Sequence, residues 1–204
     1  YRNNHKGICV CENVLDSEGN ILYPHMIHTM KNGVKVGLVG IVTDYINVWE
    51  KKENLVGIQV VDPFEAAKKA LEDLQGKVDL TICIYHGGFE SDLETGKRLS
   101  ETTENIGYKI CTELGFDVLL TGHQHMPVAG RMVNGTYTLQ PLANGREYAY
   151  VEIDLEKEAF ALENAVYPAA ITAIISKKVQ PNPDNAKALC EKYNFVEAKV
   201  QEWL

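Results

Sequence analysis

The chain has 204 residues, 45% of them hydrophobic and 24% charged, with a formal net charge of −8. That composition suffices for one good core or a large piece of one. The acidic balance argues against a cationic face for polymeric nucleic acid or an anionic membrane, yet leaves room for a small phosphate-bearing ligand whose charge a bound metal offsets.

No apolar run reaches the length of a membrane span. The opening "YRNNHKG" has no initiator Met and no signal-peptide pattern, so it reads as a processed chain or as a piece of something longer. The five cysteines, Cys9, Cys11, Cys83, Cys111 and Cys190, are odd in number and scattered. Such spacing argues against a full disulfide framework. "CVC" at 9–11 lacks a second Cys pair and reads as strand filler rather than half a zinc site.

In chain order, "VKVGLVGIV" (34–42) is a near-continuous apolar run entered from a "KNG" turn, as in a buried strand. "DPFEAAKKALEDLQG" (62–76) predicts a helix, with Asp62 as cap, Pro63 at the first position, Glu65 completing a capping box and Gly76 as stop. "VDLTICIYH" (78–86) is a second buried strand, "TTENIGYKICTEL" (102–114) a helix, and "FDVLLTG" (116–122) a third strand. This alternation predicts a layered α/β arrangement. Short strand-like runs come next, "VAGRMV", "TYTLQP", "EYAYVEIDL" and "AFALENAVYP", with a hairpin turn at Asn134–Gly135 and another turn at 143–145. That half reads as antiparallel. "VQPNPDN" (179–185) is a linker and 184–204 a terminal helix. The domain reading is therefore one domain over 1–178, then linker and helix over 179–204.

His86 and "TGHQH" (121–125) both directly follow buried strands. In layered α/β proteins, ligands bind outside the carboxyl ends of strands. In an extended segment His123 and His125 would face the same way. Gly87, Gly88 and Gly122 remove side chains beside the histidines, letting backbone approach an anion or ion. Three neutral imidazoles converging there suit Zn²⁺, Mn²⁺ or Fe. His5, His25 and His28 lack this setting and read as surface or core-edge residues. Asp44, ending a strand, reads as a turn starter, with a carboxylate ligand as the alternative. Glu90 reads either as a support for His86 or as a solvent-facing loop acid.

"YHGGFESDLETG", "TENIGYKI" and "DVLLTGHQH" together resemble the calcineurin-like metallophosphoesterases, in the branch of 5′-nucleotidases and 2′,3′-cyclic-nucleotide 2′-phosphodiesterases. "NILYPHMIHTMKNGVKVGLVGIVTDYINVWE" and "QPLANGREYAYVEIDL" extend the resemblance over most of residues 9–165. It implies an α/β (α+β) fold, the four-layer αββα sandwich, with only its C-terminal half in this chain. It implies two divalent metal ions per complete domain, His86 and His123 on one and His125 on the other. Asn105 matches a position near the site, on the substrate side with Gly87 and Gly88, as a support behind it or as a possible catalytic group, with a plain helix-start role as the equal alternative. The implied ligand is a nucleotide or cyclic nucleotide, and the implied location periplasm or cell wall.

The family's Asp-x-His, Gly-Asp and Gly-Asn-His motifs are not found in residues 1–33. Three imidazoles do not neutralise two divalent cations. The expectation is a chain that alone binds at most one metal well, hydrolyses esters poorly, and associates with itself or with the missing half through exposed strand surface. Two other readings stay open: a mononuclear three-histidine zinc hydrolase, and a non-catalytic domain binding nucleotide or a partner.

Overall fold

The computed structural model of the protein describes residues 7–154 and 159–165. The expected boundary at 178, the linker and helix over 179–204, His5 and Cys190 all lie outside these residues. The elements in chain order are β1 (Cys11–Asp16), β2 (Ile21–Tyr23), β3 (Met26–Thr29), β4 (Lys35–Val42), α1 (Ile46–Trp49), a 3₁₀ turn (Lys52–Leu55), β5 (Ile58–Val60), α2 (Pro63–Leu74), β6 (Leu80–His86), α3 (Gly107–Glu113), β7 (Val118–Thr121), β8 (Val128–Val133), β9 (Thr136–Gln140), β10 (Tyr148–Asp154) and β11 (Ala159–Ala165). They fall into two compact units: residues up to 124 with 132–138, and 125–131 with 139 onward.

The first unit is built on a mixed sheet. β4, β6 and β7 lie side by side and parallel, and β3 pairs antiparallel with β4. The apolar run of β4 buries Val36, Val39 and Ile41, as its sequence predicts. Two glycines within it have packing roles. A Cβ on Gly40 would sit 2.0 Å from the Val10 carbonyl oxygen, and one on Gly37 would sit 2.8 Å from a Leu74 methyl.

α2 forms where the sequence places it. Asp62 accepts the backbone N–H groups of Phe64 at 2.8 Å and Glu65 at 3.2 Å, satisfying two donors that the first turn leaves open. Phe64, Ala67, Ala70 and Leu74 are its buried face, at the three- and four-residue spacing of a helix laid on a sheet. Gly76, with φ of 69°, follows its end.

The helix expected over 102–114 is shorter: α3 begins only at Gly107. Ile106 precedes it and offers no side-chain cap. The capping carboxylate comes instead from Glu90, which accepts the N–H groups of Tyr108 at 3.0 Å and Lys109 at 2.7 Å. Residues 102–106 are thereby free to run as a loop across the strand ends.

A three-stranded antiparallel sheet in the order β2-β1-β5 is an element the sequence patterns did not announce. Asn13 joins it to β4. Fully buried, its side chain donates to the carbonyls of Val42 at 2.8 Å and Val61 at 3.0 Å and accepts the Val42 N–H at 2.9 Å. One buried side chain thus satisfies three backbone groups where two sheets meet.

The turn between β8 and β9 carries positive φ at both central residues, 49° at Asn134 and 87° at Gly135. This is the twist-matched hairpin turn that Asn-Gly favours. Thr136 and Thr138 of β9 are fully buried and donate their hydroxyls to the carbonyls of Phe116 and Leu119. In the second unit β10 and β11 pair antiparallel in unbroken register from Tyr148↔Ala165 to Asp154↔Ala159. The four described cysteines are free thiols, with Cys83 and Cys111 buried.

The glycine contacts set a graded expectation. Gly40→Ala forces backbone apart at Val10, whereas Gly37→Ala displaces only the tip of Leu74. Overpacking of this kind costs about 1–3 kcal/mol, and urea denaturation should place Gly40→Ala as clearly the less stable variant.

Candidate metal centre at the strand ends

Parallel pairing brings two of the three selected histidines together. β6 and β7 register as Ile82↔Val118 through Tyr85↔Thr121, so both strands finish at the same edge of the sheet. His86 is the last residue of β6, and His123 stands two residues past β7. Their ring centroids lie 5.4 Å apart with the planes at 62°. Two imidazoles on one tetrahedral ion, with metal–nitrogen bonds of about 2.1 Å, have centroids about 5–5.5 Å apart. The pair fits a single divalent ion on that measure. Among the described residues, no group of three or more His, Cys, Asp and Glu side chains is arranged to hold a metal.

The segment carrying His123 is not extended, and the alternation argument does not hold for it. His123 has φ of 72° and His125 of 60°, both left-handed. The Gln124 N–H donates to the Gly122 carbonyl at 2.9 Å, which makes His123 the centre of the strained form of the γ-turn. Left-handed conformations in non-glycine residues cost energy and persist only where surrounding structure over-determines them. His125 opens the second compact unit.

The surrounding structure is specific. The Gly122 N–H donates to the Gly87 carbonyl at 3.1 Å. The Gln124 amide accepts the Phe89 N–H and donates to the Phe89 carbonyl, both at 2.9 Å. Gln124 thus clamps the loop after β7 to the loop after β6. This also accounts for the two glycines. A Cβ on Gly88 would sit 2.0 Å from the Gln124 side-chain oxygen, and one on Gly87 would sit 2.0 Å from the Tyr85 ring. The protein's own side chains are by themselves enough to demand glycine there.

Asn105 holds the same loop from the other side. It is buried, and its side-chain oxygen accepts the Gly88 N–H at 2.7 Å. The neighbouring Glu104 was not anticipated from the sequence. Its Oε1 lies 2.8 Å from His123 Nε2, and its backbone carbonyl accepts the hydroxyls of Thr43 at 2.7 Å and Tyr85 at 3.2 Å. Trp49, also unanticipated, stacks on the His123 ring at 5.1 Å and 27°, with Tyr45 edge-on to it at 5.8 Å. The only sequence signal for these residues was their presence in "TEN" and "WE".

Glu90 neither supports His86 nor faces solvent. It is buried beneath α3, whose first turn it caps. Burial pushes its carboxyl above the ordinary 4.5, against the lowering pull of the Lys109 and Tyr108 N–H groups. Asp44 does start a turn, its carbonyl accepting the Asn47 N–H at 2.9 Å. One of its carboxyl oxygens is buried with no hydrogen-bond partner among the described residues, and burial, then the charge of Asp62, raises its pKa. His25 is a core-edge residue as expected, its backbone N–H and Nδ1 both meeting Oε1 of the buried Glu12. His28 is exposed on β3. A separate cavity of about 340 Å³, lined in part by Leu71, Gln75, Thr81 and Asp117, lies at the opposite, amino ends of β6 and β7.

The Glu90 shift has a definite sign. Its folded-state pKa is raised, so its contribution to stability is complete below 4.5 and is lost as pH rises through the raised value. Glu90→Gln should flatten that part of the pH–stability curve in urea titrations from 4.5 upward. An unchanged slope contradicts the assignment.

No family model matches the sequence. The trifunctional nucleotide phosphoesterase protein YfkN of Bacillus subtilis is 29% identical over 140 residues, covering 61% of this chain and 9% of that protein. The 5′-nucleotidase of Vibrio cholerae is 25% identical over 194 residues, covering 85% of this chain and 34% of that protein. The chain therefore spans about a third or less of these relatives' lengths. A solved Staphylococcus aureus structure, described as a 5′-nucleotidase in complex with alpha-ketoglutarate, superposes with a TM-score of 0.69 at 24% identity, over 98% of this chain and 38% of that one. The structure of the calcineurin-like phosphoesterase YfkN superposes at 0.61 with 20% identity, over 97% and 64%. This chain has the mixed α/β fold of the calcineurin-like phosphoesterases and 5′-nucleotidases, and its curated relatives are by name hydrolases of phosphoric esters.

Proposed function

We propose that this chain supplies the histidine side of a metal-dependent phosphoesterase centre acting on nucleotides, as 5′-phosphomonoesters or 2′,3′-cyclic phosphodiesters. The observation that carries the reading is the His86–His123 pair, 5.4 Å apart at the carboxyl ends of adjacent parallel strands. That is where α/β proteins place ligands, and imidazole suits Zn²⁺, Mn²⁺ and Fe alike. The resemblance adds His125 as a ligand of a second ion.

A divalent ion bound there supplies Lewis-acid chemistry toward a phosphate ester. The chain's own residues do the rest. His86 and His123 hold the ion. Asn105 and Gln124 hold the loop of Gly87 and Gly88 against the loop of His123, and so set where a phosphate group meets the pair. Asn105 and the Gly87–Gly88 turn form the substrate side. Imidazoles bring no negative charge, so this chain alone holds one ion and turns substrate over slowly. On the same resemblance the protein works outside the cytoplasm, in periplasm or cell wall. No described helix is long and apolar enough to cross a membrane.

The test is metal stoichiometry by elemental analysis on the purified chain after loading with Mn²⁺ or Zn²⁺, beside hydrolysis of 5′-AMP and 2′,3′-cyclic AMP. One ion per chain is expected, lost in both His86→Ala and His123→Ala, with turnover that disappears on chelation. Two tightly held ions with fast turnover overturn the single-ion reading. No ion at all overturns the metal centre.

A further inference from the structure

We infer that Glu104 is the positioning residue of the centre: it accepts the His123 Nε2 proton and fixes which nitrogen of that ring faces a ligand. This rests on the reading of His123 as a metal ligand and adds the group that orients it.

The geometry is direct. Glu104 Oε1 stands 2.8 Å from His123 Nε2. An ionised carboxylate only accepts hydrogen bonds, so the proton of a neutral imidazole sits on Nε2 and the lone pair on Nδ1. Histidines that ligate metals are characteristically held this way, with the remaining ring N–H donated to a carboxylate or carbonyl.

Glu104 is itself held. Thr43 and Tyr85, both buried, donate hydroxyls to its backbone carbonyl. The next residue, Asn105, is fixed to Gly88. The Glu104–Asn105 pair therefore touches Thr43 just past β4, the end of β6 with its loop, and His123 beyond β7. Its backbone is pinned while its carboxylate projects to His123, a single partner among the described residues. Trp49 completes the restraint by stacking on the ring face at 5.1 Å, so the imidazole is fixed in plane as well as in tautomer. These restraints act on a residue whose backbone is already strained at φ of 72°, as expected where a side chain must point in one particular direction.

A purely structural part for Glu104 fits less well. Its carboxylate side chain is 31% exposed, and the bonds that tie its loop to Thr43 and Tyr85 run through the backbone carbonyl, which truncation leaves in place.

The test uses the full chain, labelled with ¹⁵N-histidine, as wild type, Glu104→Ala and Glu104→Gln. Long-range ¹H–¹⁵N correlation spectra should show His123 as the Nε2–H tautomer in the wild type. They should show a tautomer mixture in Glu104→Ala, and a return toward the wild-type pattern in Glu104→Gln, whose amide oxygen still accepts. Calorimetry with Zn²⁺ or Mn²⁺ should show Glu104→Ala weakened by about 10- to 100-fold, the range for loss of such a partner. Glu104→Gln should lie nearer the wild type, with thermal midpoints of all three close together. An unchanged His123 spectrum and unchanged metal affinity in Glu104→Ala overturn the proposal. A wild type that binds neither metal while its His123 tautomer still depends on Glu104 upholds the positioning role and fails the metal reading instead.

Discussion

The parallel register of β6 against β7 is the constraint on which the site depends. Parallel neighbours in a sheet end on the same side, so a residue terminating one strand and a residue just past the other become neighbours without further design. The pairing of Ile82 with Val118 and Tyr85 with Thr121 settles where His86 and His123 emerge. A slip of one residue would send the two side chains to opposite faces of the sheet. Ile84, two residues before His86 on the same face of β6, is 44% exposed although its strand is central. The histidine face of that strand is therefore open where the opposite one, with Cys83 and Tyr85, is packed.

Polar side chains with buried partners then do what regular structure does elsewhere. Glu90 caps α3 from a distant loop, Gln124 joins the loops after β6 and β7, Asn105 holds Gly88, and Asn13 stitches the small sheet to β4. Each satisfies backbone groups, wholly or partly buried, that no regular element pairs. The same bonds keep His123 in a conformation it would not adopt alone. Strain at His123 and dense bonding around it are two aspects of one arrangement.

The candidate site was partly legible in the sequence for a physical reason. A histidine directly after an apolar β run marks a strand's carboxyl end, and that local signal put His86 and His123 at the ends of β6 and β7, where the structure has them. Glu104 and Trp49 carried no comparable signal, because neither lies in a regular element with a period to read. Glu104 lay inside an expected helix, and Trp49 reaches His123 only when the chain after β4 turns back over the strand ends. The glycines after His86 carry a second requirement that spacing does not record: Tyr85 and the Gln124 side chain occupy the space a Cβ would need.

Local chemistry by itself determined the apolar strands β4, β6 and β7, the Asp62 cap with Pro63 behind it, and the left-handed Asn134–Gly135 turn. Each rests on contacts within a few residues or on one burial pattern. Tertiary structure decided the rest. α3 starts at Gly107 because its cap, Glu90, arrives from another loop. The sheet of β1, β2 and β5 sits against β4 because Asn13 finds partners on β4 and just past β5. The histidine motif bends rather than extends because Gly87, Phe89 and Glu104 hold it. These outcomes depend on donors and acceptors far apart in the chain, and no local period or propensity records such distances.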